Sequence, residues 1–244
     1  MSNIGFIIDP LEELQPEMDT SLLMIKEFNR LGHKVVFTTL DELFLENNLA
    51  SAVWTEISFD GTGELINSTG SRTTYPLKSL DLVLMRKDPP FDVGYLSATY
   101  ILFFAETIVI NNPSSLRNYN EKLSSMPWPE LVPHTISSRN IEHMQERMSS
   151  LGGEWVVKPL FEHGGSKVFR LNAESENVLA ILKIVTKDQK EHVILQRFIP
   201  EVKNGDKRVF LLDGEAIGWM NRLPKEGEFR ANIHLGAKAV KCDL

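Results

Sequence analysis

Apolar residues at the start of the chain fall into two short runs separated by a helical period. Residues 4–8 are continuously apolar before Asp9-Pro10, which predicts a buried strand with a polar residue at its carboxyl end. Met18, Leu22, Ile25, Phe28 and Leu31 then recur at three- and four-residue spacing. Asp19 to Ser21 offer capping oxygens and Gly32 a stop, so a helix is expected. Residues 34–39 supply a second strand. Alternating Val53, Thr55 and Ile57, with turn signals at Asp60-Gly61-Thr62-Gly63 and Ser68-Thr69-Gly70, make residues 50–75 read as an inserted hairpin rather than core. A strand over 80–85, a largely apolar helix over 95–106 and a short strand over 107–110 complete an α/β layer of about 120 residues.

Asn111-Asn112-Pro113 breaks that layer. A helix is expected over 114–123, carrying Arg117, Asn120, Glu121 and Lys122, and Met126-Pro127-Trp128-Pro129 reads as a rigid linker. The domain boundary is placed there, giving an N-terminal α/β domain over 1–124. Beyond it, 141–151 predicts a helix ended by Gly152-Gly153. Trp155 to Val157 and Val168 to Leu171 predict a hairpin around Gly164-Gly165, and a helix over 175–186 follows with apolar Val178, Ile181, Leu182 and Val185. Residues 125–190 thus form a small α+β subdomain. A second begins at 191–244, with strands at 193–196, 207–212 and 216–222 and a tight turn at Asp213-Gly214.

Composition narrows the partners. In 244 residues, 42% are hydrophobic and 24% charged, and the formal charge is -7, so there is no bias toward polyanions and nucleic acid is not an expected partner. The lone Cys242 excludes an internal disulfide and fits a reducing compartment. With no basic leader and no 18-residue apolar span, no membrane partner and a cytoplasmic location are expected. The histidines at 33, 134, 143, 163, 192 and 234 lack metal-ligand spacing. The turn after the first strand lacks Gly-x-Gly-x-x-Gly, and no Walker-type Gly-x-x-x-x-Gly-Lys-Ser/Thr occurs.

Chemistry concentrates at a few points. Lys158 ends a strand beside the turn holding Gly164-Gly165, whose backbone N–H groups can line a phosphate; the alternative is an ordinary hairpin with a snorkelling lysine. Arg86 opens the proline-rigidified loop Arg86-Lys87-Asp88-Pro89-Pro90 at the carboxyl end of a strand. Its planar fork suits a substrate carboxylate, or else an Arg and Asp pair in a solvated turn. The strand end at Gln196, Arg197, Phe198 and Ile199 offers exposed backbone groups beside apolar side chains, a slot for adenine. Arg208, Arg222 and Arg230 read either as rim salt bridges or as cations converging on one anion.

The segments Met85-Arg-Lys-Asp-Pro-Pro-Phe-Asp92, Ala98-Thr-Tyr-Ile-Leu102, Asn112-Pro-x-x-Leu-Arg117 with Asn120-Glu-Lys-Leu123, Lys158-Pro with Gly164-Gly165, Gly205-Asp-Lys-Arg-Val209, and Arg222-x-Pro with Gly227-Glu-x-Arg230 together resemble prokaryotic glutathione synthetase. This is an ATP-grasp ligase family, and the resemblance covers nearly the whole chain in order. It implies a Rossmann-like, pre-ATP-grasp N-terminal domain that binds substrate, followed by an ATP-grasp domain of two α+β subdomains, the second incomplete. It implies an enzyme that joins γ-glutamylcysteine to glycine through an acyl phosphate, with ATP and Mg2+, releasing ADP and phosphate, in a homo-oligomer. By matching position, Lys122 and Lys158 hold ATP phosphates under a lid of Gly164, Gly165 and Ser166. Gln196, Arg197, Phe198 and Ile199 hold adenine, and Asp206 the ribose. Arg208, Arg222 and Arg230 bind the carboxylate and acyl phosphate, roles that call for preorganised cations rather than a nucleophile. Arg86, Asp19, Ser21 and Asn232 fall to the peptide substrate, with capping an equal explanation for Asp19 and Ser21.

Three departures from the family accompany these expectations. Glu162 or His163 stands where the family carries a further glycine, which would set a carboxylate near phosphate. The loop Ala231-Asn-Ile-His-Leu-Gly-Ala237 replaces a Gly-Asn-Leu-Ala-Ala-Gly-Gly run and brings in bulkier His234 and Leu235. The chain ends at Leu244, ahead of the Asp, Glu and Asn that bind magnesium in the family, so no metal ligand is assigned and this chain alone is expected to turn over slowly. The alternatives are a noncatalytic relative that binds nucleotide and peptide without turnover, or another ATP-grasp peptide ligase.

Overall fold

The first apolar run becomes β1 (Asn3–Ile7), and residues 4–8 are all buried, as a strand covered on both faces requires. The computed structural model describes residues 1–59, 65–67 and 72–244, and the chain divides into two compact units, Met1–Asn120 and Glu121–Leu244.

In the first unit, α1 (Thr20–Arg30) starts where Asp19 accepts the N–H groups of Ser21 and Leu22. Leu22 and Ile25 are buried; Met18 and Leu31, part of the expected stripe, fall outside the helix and are exposed. β2 (Lys34–Thr38) runs parallel to β1. Residues 50–75 correct the expectation of a peripheral hairpin. β3 (Leu43–Glu46), β4 (Leu49–Phe59), β5 (Leu65–Asn67) and β6 (Thr73–Pro76) are strands, and the eleven-residue β4 pairs antiparallel with β2, β3, β5 and β6. Its Ala50, Ala52, Trp54 and Ile57 are at most 1% exposed, and the Trp54 ring stacks on Tyr75 while Nε1 donates to the Tyr75 carbonyl at 3.2 Å. Small alanines beside a large ring let the sheet close tightly, a packing outcome that local alternation does not signal. The turns expected at 60–63 and 68–70 lie outside the described residues.

β7 (Leu82–Met85), α2 (Val93–Leu102), β8 (Ile108–Ile110) and α3 (Pro113–Asn118) finish the unit. Both helices are shorter than expected. α2 begins at the Asp92 cap, which accepts the Tyr95 N–H; α3 begins at the Asn112 cap with Pro113 in its first turn and ends at Tyr119. The sheet runs β3-β4-β2-β1-β7-β8, with β1 parallel to both β2 and β7. Ile4, Phe6 and Ile8 pack with α1 residues Leu22 and Ile25; Ile7, Val83 and Met85 pack with Tyr95, Ala98 and Leu102 of α2. The carboxyl ends of β1 and β7 therefore meet at a switch in strand order, where open α/β sheets bind ligands.

In the second unit, β9 (Thr135–Ser138), α4 (Ile141–Leu151), β10 (Trp155–Pro159), β11 (Phe169–Leu171), α5 (Val178–Val185) and β12 (Val193–Arg197) build a four-stranded antiparallel sheet of order β11-β10-β12-β9. The expected hairpin is present, with Trp155 opposite Leu171. β12 is an inner strand, so this sheet draws on residues either side of 190. Trp155, Val157, Val193 and Leu195 point to Met144, Met148, Leu182 and Val185 of the helices and are fully buried. Val156, Lys158 and Gln196, at the intervening positions, face the other way. β13 (Asp206–Leu212), β14 (Glu215–Leu223) and β15 (Lys238–Val240) form a second, three-stranded antiparallel sheet. Among the described residues no helix is long and apolar enough to cross a membrane.

Candidate active site

The candidates of the first unit gather at the switch in strand order. Arg86 follows β7 directly. Its Nη2 donates to Thr20 Oγ1 at 2.8 Å and its Nε to Ser21 Oγ at 3.3 Å, at the start of α1. Asp19 Oδ1 accepts the Ser21 and Leu22 N–H groups at 2.7 and 2.9 Å, so its carboxylate caps the helix. Lys87 pairs with Asp9 at 2.7 Å, and Asp9 Oδ2 accepts the Asp88 N–H at 2.9 Å. The Arg and Asp pair weighed for this loop does not form with Arg86: its fork rests on two neutral hydroxyls, and a carboxylate exchanging for them would gain charge-assisted bonds.

The candidates of the second unit, Arg222 excepted, line one cavity of about 630 Å3. Its wall includes Lys122, Lys158, Gly164, Gly165, Ser166, the strand end 196–199, Asp206, Arg208, Arg230 and Asn232. Lys158 Nζ donates to Gln196 Oε1 at 3.0 Å, and Gln196 Nε2 donates to Thr135 Oγ1 at 2.8 Å, so a neutral amide aims the lysine. Burial first, then the like charge of Lys122, pull the Lys158 pKa below its ordinary value. Lys122 Nζ bonds the carbonyls of Leu160 (3.2 Å) and Glu162 (2.6 Å) and the Glu121 carboxylate (2.9 Å), which fixes it under the glycine turn. The Glu162 carboxylate, a departure expected to disfavour phosphate, is bonded by Lys167 Nζ at 2.7 Å, and that bond lowers its pKa. Arg197 lines the cavity but sends its guanidinium elsewhere: it bonds the carbonyls of Leu151 and Gly152 at the end of α4 and stacks over Trp155. The Ile199 N–H, just past the end of β12, has no backbone partner among the described residues.

The three arginines have separate surroundings. Arg222 grips Asp206 through two bonds of 2.7 and 2.6 Å, a consequence of the register that sets them opposite each other on β13 and β14. Arg230 grips Glu228, with Nε to Oε1 at 3.0 Å and Nη2 to Oε2 at 2.6 Å, while its Nη1 donates to the Gly165 carbonyl at 3.0 Å. Arg208 shares a sheet face with Asp206 and Arg222, is exposed, and has no carboxylate partner among the described residues. Sequence reasoning missed Glu121, Lys167 and Glu228 as partners. Glu121 and Glu228 stand within the motifs that carry Lys122 and Arg230, one and two residues away, which was the available signal.

Two sheets around a cavity of cations and a glycine turn are the architecture of an ATP-grasp protein. D-cycloserine synthetase DcsG superposes with a TM-score of 0.64 at 15% identity, over 99% of this chain and 75% of that one. A RimK domain protein ATP-grasp from Sphaerobacter thermophilus gives 0.56 at 18% identity, over 85% and 68%. At these identities the likeness concerns the fold alone. Residues 2–117 match the family described as "Prokaryotic glutathione synthetase, N-terminal domain" and residues 121–244 match "Prokaryotic glutathione synthetase, ATP-grasp domain". The chain is 35% identical over 242 residues to the glutathione synthetase of Photorhabdus laumondii, covering 98% of this chain and 76% of that enzyme. It belongs to the prokaryotic glutathione synthetase family and is an ATP-dependent ligase that forms a C–N bond.

The family uses ATP and Mg2+. Among the described residues no group of three or more His, Cys, Asp or Glu side chains is placed to hold a metal ion. No residue of this chain is therefore assigned as a magnesium ligand.

Proposed function

We propose that the chain joins γ-glutamylcysteine to glycine. The cysteinyl carboxylate attacks the terminal phosphorus of ATP and ADP leaves. Glycine's amine then attacks the resulting acyl phosphate, loses a proton, and phosphate departs as the amide forms. Lys122 and Lys158 hold the phosphates under Gly164, Gly165 and Ser166. Adenine lies against Phe198 and takes the Ile199 N–H, which has no backbone partner among the described residues; Gln196 aims Lys158, Arg197 contributes backbone, and Asp206 accepts from the ribose. Arg208, which has no carboxylate partner among the described residues, meets the charge that develops on the acyl-phosphate oxygens. Arg222 and Arg230 shape the wall through their bonds to Asp206 and Glu228, and Asn232 lines it. Arg86 receives a carboxylate of the peptide in place of Thr20 and Ser21, while Asp19 keeps α1 capped. A reducing, cytoplasmic location agrees with the single cysteine.

The observation that carries this reading is the desolvated ammonium of Lys158, held by a neutral amide rather than a carboxylate and aimed into a cavity edged by a glycine turn. Removing one cation from such a site costs on the order of 2 to 4 kcal/mol of phosphate binding, or about 30- to 1000-fold in Kd. Calorimetric titration of ATP into the wild-type protein and Lys158→Ala, both confirmed folded by circular dichroism, checks it. Equal affinities would return Lys158 to a purely structural role.

A further inference from the structure

Glu228 makes more bonds than a surface carboxylate needs. Its Oε1 accepts the backbone N–H groups of Phe229 (2.9 Å) and Arg230 (3.0 Å) together with Arg230 Nε (3.0 Å), and its Oε2 accepts Nη2 at 2.6 Å. The carboxylate thus curls its own loop and clamps one edge of the guanidinium. An arginine has five N–H donors. Of these, one on Nε and one on Nη2 go to Glu228, and one on Nη1 goes to the Gly165 carbonyl at 3.0 Å. The two segments are in close contact there. A Cβ on Gly165, whose φ is +81°, would stand 2.7 Å from Asn232 Oδ1 and 3.0 Å from Leu235 Cδ1. Both segments line the cavity.

We infer that Glu228 is a positioning residue for the glycine turn: by holding the Nε and Nη2 edge of Arg230 it aims Nη1 at the Gly165 carbonyl, and this bond ties the turn to the loop that precedes β15. Without the carboxylate, a guanidinium on a flexible stem samples many rotamers and the bond to Gly165 loses its preorganisation. The bond fixes the turn by its backbone, so every residue from Glu162 to Lys167 inherits the restraint. Its consequence for ligand, which rests on the nucleotide reading above, is slow release of ATP rather than faster capture, because the tie acts on the closed turn. Glu228 remains ionised through the acidic range, since the Arg230 guanidinium holds its carboxyl down to about 2, and mild acid does not release the tie.

Two variants separate aiming from simple loop structure. Glu228→Asp keeps a carboxylate that can accept the backbone N–H groups and shortens the reach to the guanidinium; Arg230→Ala removes the tie. In ligand-free protein, tryptic cleavage after Lys167 reports the open population of the turn. Each variant should raise that rate about tenfold, and the double variant should cleave no faster than Arg230→Ala alone. An unchanged rate in Glu228→Asp, or additive effects in the double variant, overturns the inference. Stopped-flow with a fluorescent ATP analogue should then show dissociation about tenfold faster in Glu228→Asp, with association within about twofold of wild type. Slower association with unchanged dissociation would overturn the claim about retention. If the wild-type protein binds no nucleotide, the proteolysis still decides the tie, and the failure belongs to the nucleotide reading alone.

Discussion

The two sheets of the second unit are built on opposite principles. The sheet β11-β10-β12-β9 has a dry face: Trp155, Val157, Val193 and Leu195 meet Met144, Met148 and Leu182, each completely buried. In the sheet β13-β14-β15, Val209, Phe210, Leu211, Leu212 and Ile217 are all exposed. Polar bonds do much of the holding instead. Arg222 grips Asp206, Trp219 Nε1 donates to the Cys242 carbonyl at 2.8 Å, Lys207 Nζ to the Asp243 carbonyl at 2.6 Å and Asn221 Nδ2 to the Asn204 carbonyl at 2.9 Å. The buried apolar core lies under the first sheet, and the second carries Asp206, Arg208 and Arg222. Pairing by register there sets charged groups at fixed separations without a core beneath them.

The sharpest way to break this contrast is to cut into each sheet in turn. Leu182→Ala, under the dry face, should cost about 2 to 5 kcal/mol in urea unfolding, because deleting a fully buried Leu leaves a cavity as well as losing its transfer free energy. A cost below about 1 kcal/mol would mean that this face carries no core. On the bare sheet the largest loss should come from a polar residue. Asp206→Asn, which removes the charge that Arg222 grips, should cost about 0.5 to 1 kcal/mol, kept small by solvent around the pair. Phe210→Ser should change stability least, within about 0.5 kcal/mol, since the side chain is already nearly half exposed and packs into no buried core cluster among the described residues. A loss of several kcal/mol at Phe210 would show that something covers this sheet in solution.

Local signals made some elements legible and left others hidden. The end of α4 was legible because Gly152, at positive φ, stops it, and the structure adds the Asn140 cap at its start. The hairpin of β10 and β11 is legible for a similar reason. β4 was not: its buried Ala50 and Ala52 carry little hydrophobic signal, and its importance comes from pairing with four strands, β2, β3, β5 and β6. The same division runs through the site. Motif order grouped Lys158, Gly165 and Arg230, and all three line one cavity. It did not reveal that Arg222 holds Asp206 while Arg208 has no carboxylate partner among the described residues, because the pairing across β13 and β14 depends on register and not on spacing. Glu162, an apparent obstacle by sequence, is bonded by Lys167, five residues on, across a turn whose shape no periodicity specifies.

The short bridge from Thr135 through Gln196 to Lys158 has a calorimetric consequence. Gln196 supplies a dipole and no charge, so the ammonium sits half-buried beside the like charge of Lys122, and its folded-state pKa lies below the ordinary lysine value. A polyanion arriving at that nitrogen favours the charged form and moves the value back up. In buffers alkaline enough to have begun deprotonating Lys158, association therefore draws protons from solution, and the apparent heat of ATP binding shifts with the ionisation enthalpy of the buffer. The shift should be largest at pH values between the pKa of Lys158 in the empty and the occupied cavity, fall away on either side, and disappear in Lys158→Ala. Heats that are identical across buffers at every alkaline pH would show that the ammonium never loses its proton in the empty cavity.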